Sequence, residues 1–145
     1  MNNQCRQEDR TMEKTCVILK PDALKRRLAG RIISRIEDKG YIIADARMLR
    51  LDEDLLREHY PHLADQPFFP DIVAYMVSGP VLAMIVEGEN AIAGMRKIIG
   101  ATSFEDAAAG TIRGDYAFST RQNLIHASDS AESAELEIKR FFVRQ

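Results

Sequence analysis

The chain has no tryptophan, only two cysteines among 145 residues, and no proline beyond position 80. Each shortage excludes something. Cys5 and Cys16 form neither a metal-binding spacing nor a disulfide framework, which makes a reduced, cytoplasmic setting the expectation. No apolar run approaches the roughly 20 residues that span a bilayer. The segment from Met1 to Thr11 is polar and lacks the apolar stretch of a signal peptide. Excess positive charge is missing too: the formal net charge is -2, so no global basic field recruits nucleic acid. Any polyanion must be met by a local cluster.

Hydrophobic residues make up 46% of the chain, enough for a core. Residues 1–12 are expected to form an N-terminal extension without order, and residues 13–145 a single domain. Cys16 to Leu19 reads as a buried strand. Pro21 opens a helix with Leu24, Leu28, Ile32, Ile33 and Ile36 at helical spacing, stopped by Gly40. Ile42, Ala44, Ala46 and Met48 alternate with Asp45 and Arg47, the pattern of a half-buried strand. Asp52 opens a short helix to about Tyr60, and Pro67 starts another whose inner side carries Ile72, Val73, Tyr75 and Met76. Val81 to Val86 is a strand, and Ala91 to Ile99 a helix closed by Gly100. A stretch of little periodicity runs from Ala101 to about Gln122. Leu124 to Ala127 reads as the last strand, followed by a helix carrying Ala131, Ala134, Ile138, Phe141 and Phe142. Without the two short helices the order is βαββαβ, which predicts an α+β, ferredoxin-like antiparallel sheet with helices packed on it. A helical hairpin and a long loop are added to that plan, and a loop of such length in a compact domain points to function.

The densest chemistry lies at Asn123-Leu124-Ile125-His126-Ala127-Ser128-Asp129. It sets one histidine at the end of an apolar run, next to the start of a helix. A rigid imidazole beside a helix N-terminus suits a nucleophile that accepts and returns an anionic group. A lone histidine on a strand is ordinarily core or surface, and Ser128 and Asp129 serve equally well as helix caps. The heptapeptide is specific as a whole. Lys20-Pro21-Asp22 leaves the first strand, and Pro21 alone explains the turn but not the lysine, whose point charge suits a phosphate. Gly110-Thr111-Ile112-Arg113-Gly114-Asp115 sits in the long loop. Lys25-Arg26-Arg27 reads as the solvated face of the first helix.

Together these motifs resemble the nucleoside diphosphate kinase family, over nearly all of residues 13–142. The resemblance implies ping-pong transfer of a γ-phosphate from a nucleoside triphosphate to a nucleoside diphosphate, with His126 as the phosphorylated nucleophile. It implies that Lys20, Arg96, Thr102 and Arg113 bind phosphates, that Phe68 stacks on the base, and that Tyr60 lines the phosphate end. Asn123, of the same signature, joins the nucleotide-binding residues. Glu137, eleven residues past His126, is implied as the carboxylate on the far ring nitrogen. Helical periodicity does not separate it from Glu135. His59 and His62 are expected on the surface, and Phe69 in the core. Mg²⁺ is the implied cofactor, held mainly by the nucleotide phosphates, with Asp129 touching it through water. A homo-oligomer is implied, the tetramer preferred over the hexamer. Two other functions are compatible with a fold of this class. An RNA-recognition module would need exposed alternating aromatics, which no strand carries. A catalytically silent family member acting as scaffold, regulator or nucleotide-binding module would lack some of the residues just named. Phe104 and Ala109 stand where the family commonly has proline, so the loop is expected to be more mobile than usual and ordered by nucleotide.

Overall fold

The computed structural model describes residues 12–143. Four strands form one antiparallel sheet: β1 (Met12–Leu19), β2 (Ile42–Leu49), β3 (Val81–Glu89) and β4 (Ile125–Ala127), in the order β2-β3-β1-β4. This is the ferredoxin-like order expected from the βαββαβ pattern. β1 begins at Met12, inside the segment expected to lack order. The rest of that extension lies outside the described residues.

β1 is central and buried on both sides, so its residues divide by parity. Val17 and Leu19 join a core with Ile32 and Ile36 of α2 (Ala29–Asp38) and Met95 and Ile99 of α5 (Ala91–Ile99). Cys16 and Ile18 join a second core with Leu56 of α3 (Glu53–His59), Phe69 and Met76 of α4 (Phe69–Met76), and Phe141. The hairpin of α3 and α4 therefore roofs the sheet face that α2 and α5 leave open.

Three local features differ from the expectation. The first helix is two: α1 (Pro21–Lys25) and α2. Arg27 turns left-handed at φ 58°, while its N–H reaches Leu24 O and the Leu28 N–H reaches Ala23 O. That paired bonding closes α1 as a Schellman end, with arginine in the place glycine usually takes. The apolar spacing survives because Leu28 is buried immediately after the break. On β2 the inward face is the reverse of the one expected. Ile43, Asp45, Arg47 and Leu49 are the half-buried positions, and Ile42 and Met48 are 61% and 59% exposed. A register shift between Ile43 and Asp45 moves the strand across the two cores, placing Ile43 against one and Leu49 against the other. The last helix also divides, into α7 (Ala131–Ile138) and a π-helical turn, Lys139–Val143. The long loop contains a short helix of its own, α6 (Ile112–Tyr116), capped by the Thr111 hydroxyl, which accepts from Gly114 N.

Candidate active site

His126 sits on β4 opposite Ile18 of β1, so its side chain takes the face roofed by the α3–α4 hairpin. Its flanks, Ile125 and Ala127, enter the other core and fix the strand. Nε2 of His126 contacts a carboxylate oxygen of Glu137 on α7. The Ser128 hydroxyl lies 3.1 Å from the same oxygen and 3.3 Å from Cys16 N and O, tying the carboxylate to β1. Glu137 is buried, whereas Glu135 is exposed and pairs with Lys139. The choice that periodicity left open is thus made by packing. With Nε2 directed at Glu137, Nδ1 is the ring nitrogen outside that contact.

Lys20 leaves β1 beside this site. Its backbone N–H donates to Leu124 O at 2.8 Å, and its Nζ donates to Asn123 Oδ1 at 2.7 Å. Leu124 holds φ 73°, a left-handed conformation that an L side chain adopts at a cost of about 1–2 kcal/mol. Sparsely populated backbone of this kind collects at functional sites. Burial, and next the Arg113 guanidinium, lower the Lys20 ammonium from 10.5 to about 8, while Asp22 opposes the shift. Arg113 is buried, and burial, with Arg96 nearby, lowers it to about 10. It donates to Gly100 O, Asn123 O and Ile125 O at 3.2, 3.3 and 2.6 Å, stitching the long loop to the strand that carries His126. Arg96 donates to Ala127 O at 3.2 Å.

Two cavities open here. The larger, about 530 Å³, is lined by Lys20, Tyr60, Phe68, Tyr75 and Asn123, with Arg121 and Asp71 also on its wall. That size and its mixed apolar and polar lining suit a small ligand. The smaller, about 310 Å³, holds His126, Glu137, Arg96, Asp129 and Tyr60. Tyr60 borders both. Burial raises its hydroxyl above the ordinary value, so it stays protonated and able to donate. Thr102 is exposed and lies outside the residues lining these two cavities. Phe69 is buried in the core, as expected.

His59 departs from the expected surface role. Its ring is partly buried and lies 4.9 Å from that of His126, at 80°. Burial, then His126 and Arg140, push its basicity far below the ordinary value. Sequence spacing gave no sign of this, because the hairpin brings α3 over β4 from 67 residues away. Arg121 and Arg140 are likewise site residues that the motifs did not reveal. His62 is exposed, in keeping with the expectation.

The nucleoside diphosphate kinase family model matches residues 13–145. The chain belongs to the nucleoside diphosphate kinase family. It is 57% identical to the nucleoside diphosphate kinase of Methanothermobacter thermautotrophicus over 131 residues, covering 90% of this chain and 87% of that one. Among solved structures, the apo nucleoside diphosphate kinase from Encephalitozoon cuniculi aligns with a TM-score of 0.87 at 48% identity, covering 90% of this chain and 88% of that one. The Halobacterium salinarum nucleoside diphosphate kinase, solved in complex with CDP, aligns at 0.87 and 45% identity, covering 91% and 88%. No described helix is long and apolar enough to cross a membrane.

Proposed function

We propose that His126 is the residue through which this member of the nucleoside diphosphate kinase family moves the γ-phosphate from a nucleoside triphosphate to a nucleoside diphosphate. The observation that carries this reading is the Glu137 carboxylate on Nε2, which leaves Nδ1 as the nucleophile. The Nδ1 lone pair forms a bond to the γ-phosphorus as the bond from that phosphorus to the bridging oxygen breaks. The first diphosphate departs with the electron pair. A terminal oxygen of a second diphosphate then attacks the phosphorus and releases Nδ1. No proton need be exchanged. Glu137 fixes the ring and offsets the positive charge that develops on it.

The cationic groups supply the remaining stabilisation. Lys20, Arg96 and Arg113 border the site and neutralise phosphate charge, which is the main demand of phosphoryl transfer. Phe68 on the wall of the larger cavity is the stacking face for the base. Stacking is tolerant of base identity, since every base has a π-face.

Mg²⁺ fits this donor set only as a partner of the nucleotide. Among the described residues the single close group of three potential metal ligands is His59, His126 and Glu137, rich in nitrogen and unlike the oxygen shell that Mg²⁺ takes. Asp129, in the smaller cavity, would reach the ion through water while the phosphates hold it. The ion, when bound, neutralises the charge that develops on the phosphate oxygens.

Assembly as a homo-oligomer is supported by the exposed apolar side chains Ile42 and Met48 along the edge strand β2. A cytoplasmic setting is supported by the cysteine usage. Nothing in the site favours a catalytically silent member.

The test is incubation with a nucleoside triphosphate labelled at the γ-phosphate. The wild type should acquire an acid-labile phosphate and surrender it to a diphosphate. His126→Ala should acquire none and keep the fold. Label on the mutant would move the nucleophile elsewhere.

A further inference from the structure

The π-helical turn after α7 is one part of the site that the reaction above does not use. Such turns recur at functional sites because the wider coil re-aims side chains. Here it turns Arg140 toward the cavity of His126, with only 13% of its side chain exposed. Nη1 of Arg140 lies 2.9 Å from Nδ1 of His59. Nε of Arg140 is buried, with a Glu58 carboxylate oxygen 3.8 Å away.

A guanidinium only donates hydrogen bonds. Nδ1 of His59 must therefore accept, so it carries no proton, and the one proton of the neutral ring sits on Nε2. The ring itself is wedged. Tyr60 meets it at 4.5 Å, Phe141 at 5.2 Å and His126 at 4.9 Å, each edge-on.

We infer that Arg140 and His59 form a positioning pair for the nucleophile. Arg140 locks His59 as the neutral Nε2–H tautomer, and the locked ring presses edge-on against His126. This rests on His126 being the phosphorylated residue. Glu137 fixes one end of the His126 ring through a hydrogen bond, and His59 limits its rotation from the side. The neutral state matters as well. A charged His59 would oppose the positive charge His126 takes on as phosphate arrives. The groups facing His59 agree with that state: its burial, then His126 on β4, Arg140 on the π-turn, Lys20 at the end of β1 and His62 after α3 all disfavour its protonation. The three carboxylates that line this cavity are engaged elsewhere, Glu137 with His126, Glu58 with Arg140, and Asp129 with Ser133 and Ser130.

The experiment uses the full chain. ¹⁵N NMR of the histidine rings reads the tautomer, and rapid mixing with labelled triphosphate reads phosphoenzyme formation. Wild-type His59 should show a protonated Nε2 and an unprotonated Nδ1, without titrating near the ordinary histidine value of about 6.5. Arg140→Met should populate the other tautomer and slow phosphoenzyme formation by about 10- to 100-fold, the scale of a small misplacement of a reacting group. KM should hold, since neither residue lines the larger cavity. Arg140→Lys, which still donates, should recover much of the rate. A proton on Nδ1 of wild-type His59, or an Arg140→Met enzyme with unchanged kcat, would overturn the proposal. A wild type that forms no phosphohistidine would instead refute the reading of His126, and with it the pair's role, whatever the tautomer of His59.

Discussion

Nζ of Lys20 donates to Oδ1 of Asn123 at 2.7 Å, across 103 residues of sequence. The pair joins the exit of β1 to the approach of β4, the strand that carries His126. Because burial has already lowered the ammonium to about 8, the charge the site needs is also the charge it holds least firmly.

That tension predicts a pH dependence. The free protein loses the Lys20 proton as pH rises through about 8, so nucleotide affinity should fall above that value. Stability should move the other way. The unfolded chain keeps this proton to about 10.5, so between the two values it binds more protons and stability rises with pH. The difference in melting temperature between wild type and Lys20→Met, followed across that window, measures the effect. A flat difference would show that Lys20 titrates normally.

Glu137→Gln should slow phosphorylation of His126, on the order of 10²-fold, because an amide cannot offset charge on the ring. Nucleotide affinity should be unchanged. Ser128→Ala should cost less, since it removes one hydrogen bond from the carboxylate and leaves its contact with the ring. Equal single-turnover rates for Glu137→Gln and wild type would remove Glu137 from the reaction.

Phe68 and Phe69 are neighbours with different predicted costs. Phe68→Ala should weaken every nucleotide by about 1–3 kcal/mol, measured by calorimetry, with little change in stability. Phe69, buried in the core at the start of α4, should cost about 3–5 kcal/mol of stability on truncation to alanine. If both mutants lose stability and neither loses affinity, Phe68 is a core residue.

Tyr41 lies where a side chain at Gly94 would go. A Cβ at Gly94 would fall 1.7 Å from the Tyr41 hydroxyl, and one at Gly88 would fall 2.3 Å from its ring. The same ring lies against both glycines, so a side chain at either must displace it. Gly94→Ala should destabilise by about 1–3 kcal/mol, and Tyr41→Phe should recover part of that loss in the double mutant. Denaturant midpoints that simply add would show no clash.

Ala108–Thr111 forms a turn in which Thr111 N donates to Ala108 O at 3.1 Å and Gly110 holds φ 94°. A positive φ at the third position marks a type II turn, whose second position, Ala109 here, accepts proline readily. Ala109→Pro should therefore raise stability by roughly 0.4–1 kcal/mol by restricting the unfolded loop, with activity retained. A lower melting temperature would mean that the backbone at 109 does not suit proline.

The site was legible where its chemistry is contiguous. His126, Ser128 and Lys20 stand in short motifs at strand ends, and a strand end places neighbouring residues at one edge of the fold. The face of β2 was not legible. A period of two fixes alternation but not which phase turns inward, and the register shift after Ile43 decides that through pairing with β3. The break after α1 was hidden because Leu28 preserves the helical spacing across it.

By itself the sequence determined the order of the four strands, the stop at Gly40, and the motif that carries His126, since these depend on local periodicity and short-range chemistry. Only the tertiary structure decided which carboxylate meets His126, that His59 lies against it, and that Arg140 reaches Nδ1 of His59. Those relations arise where the α3–α4 hairpin and the π-turn after α7 close over the sheet. Such contacts are set by packing between distant segments, which leaves no period in the chain to read.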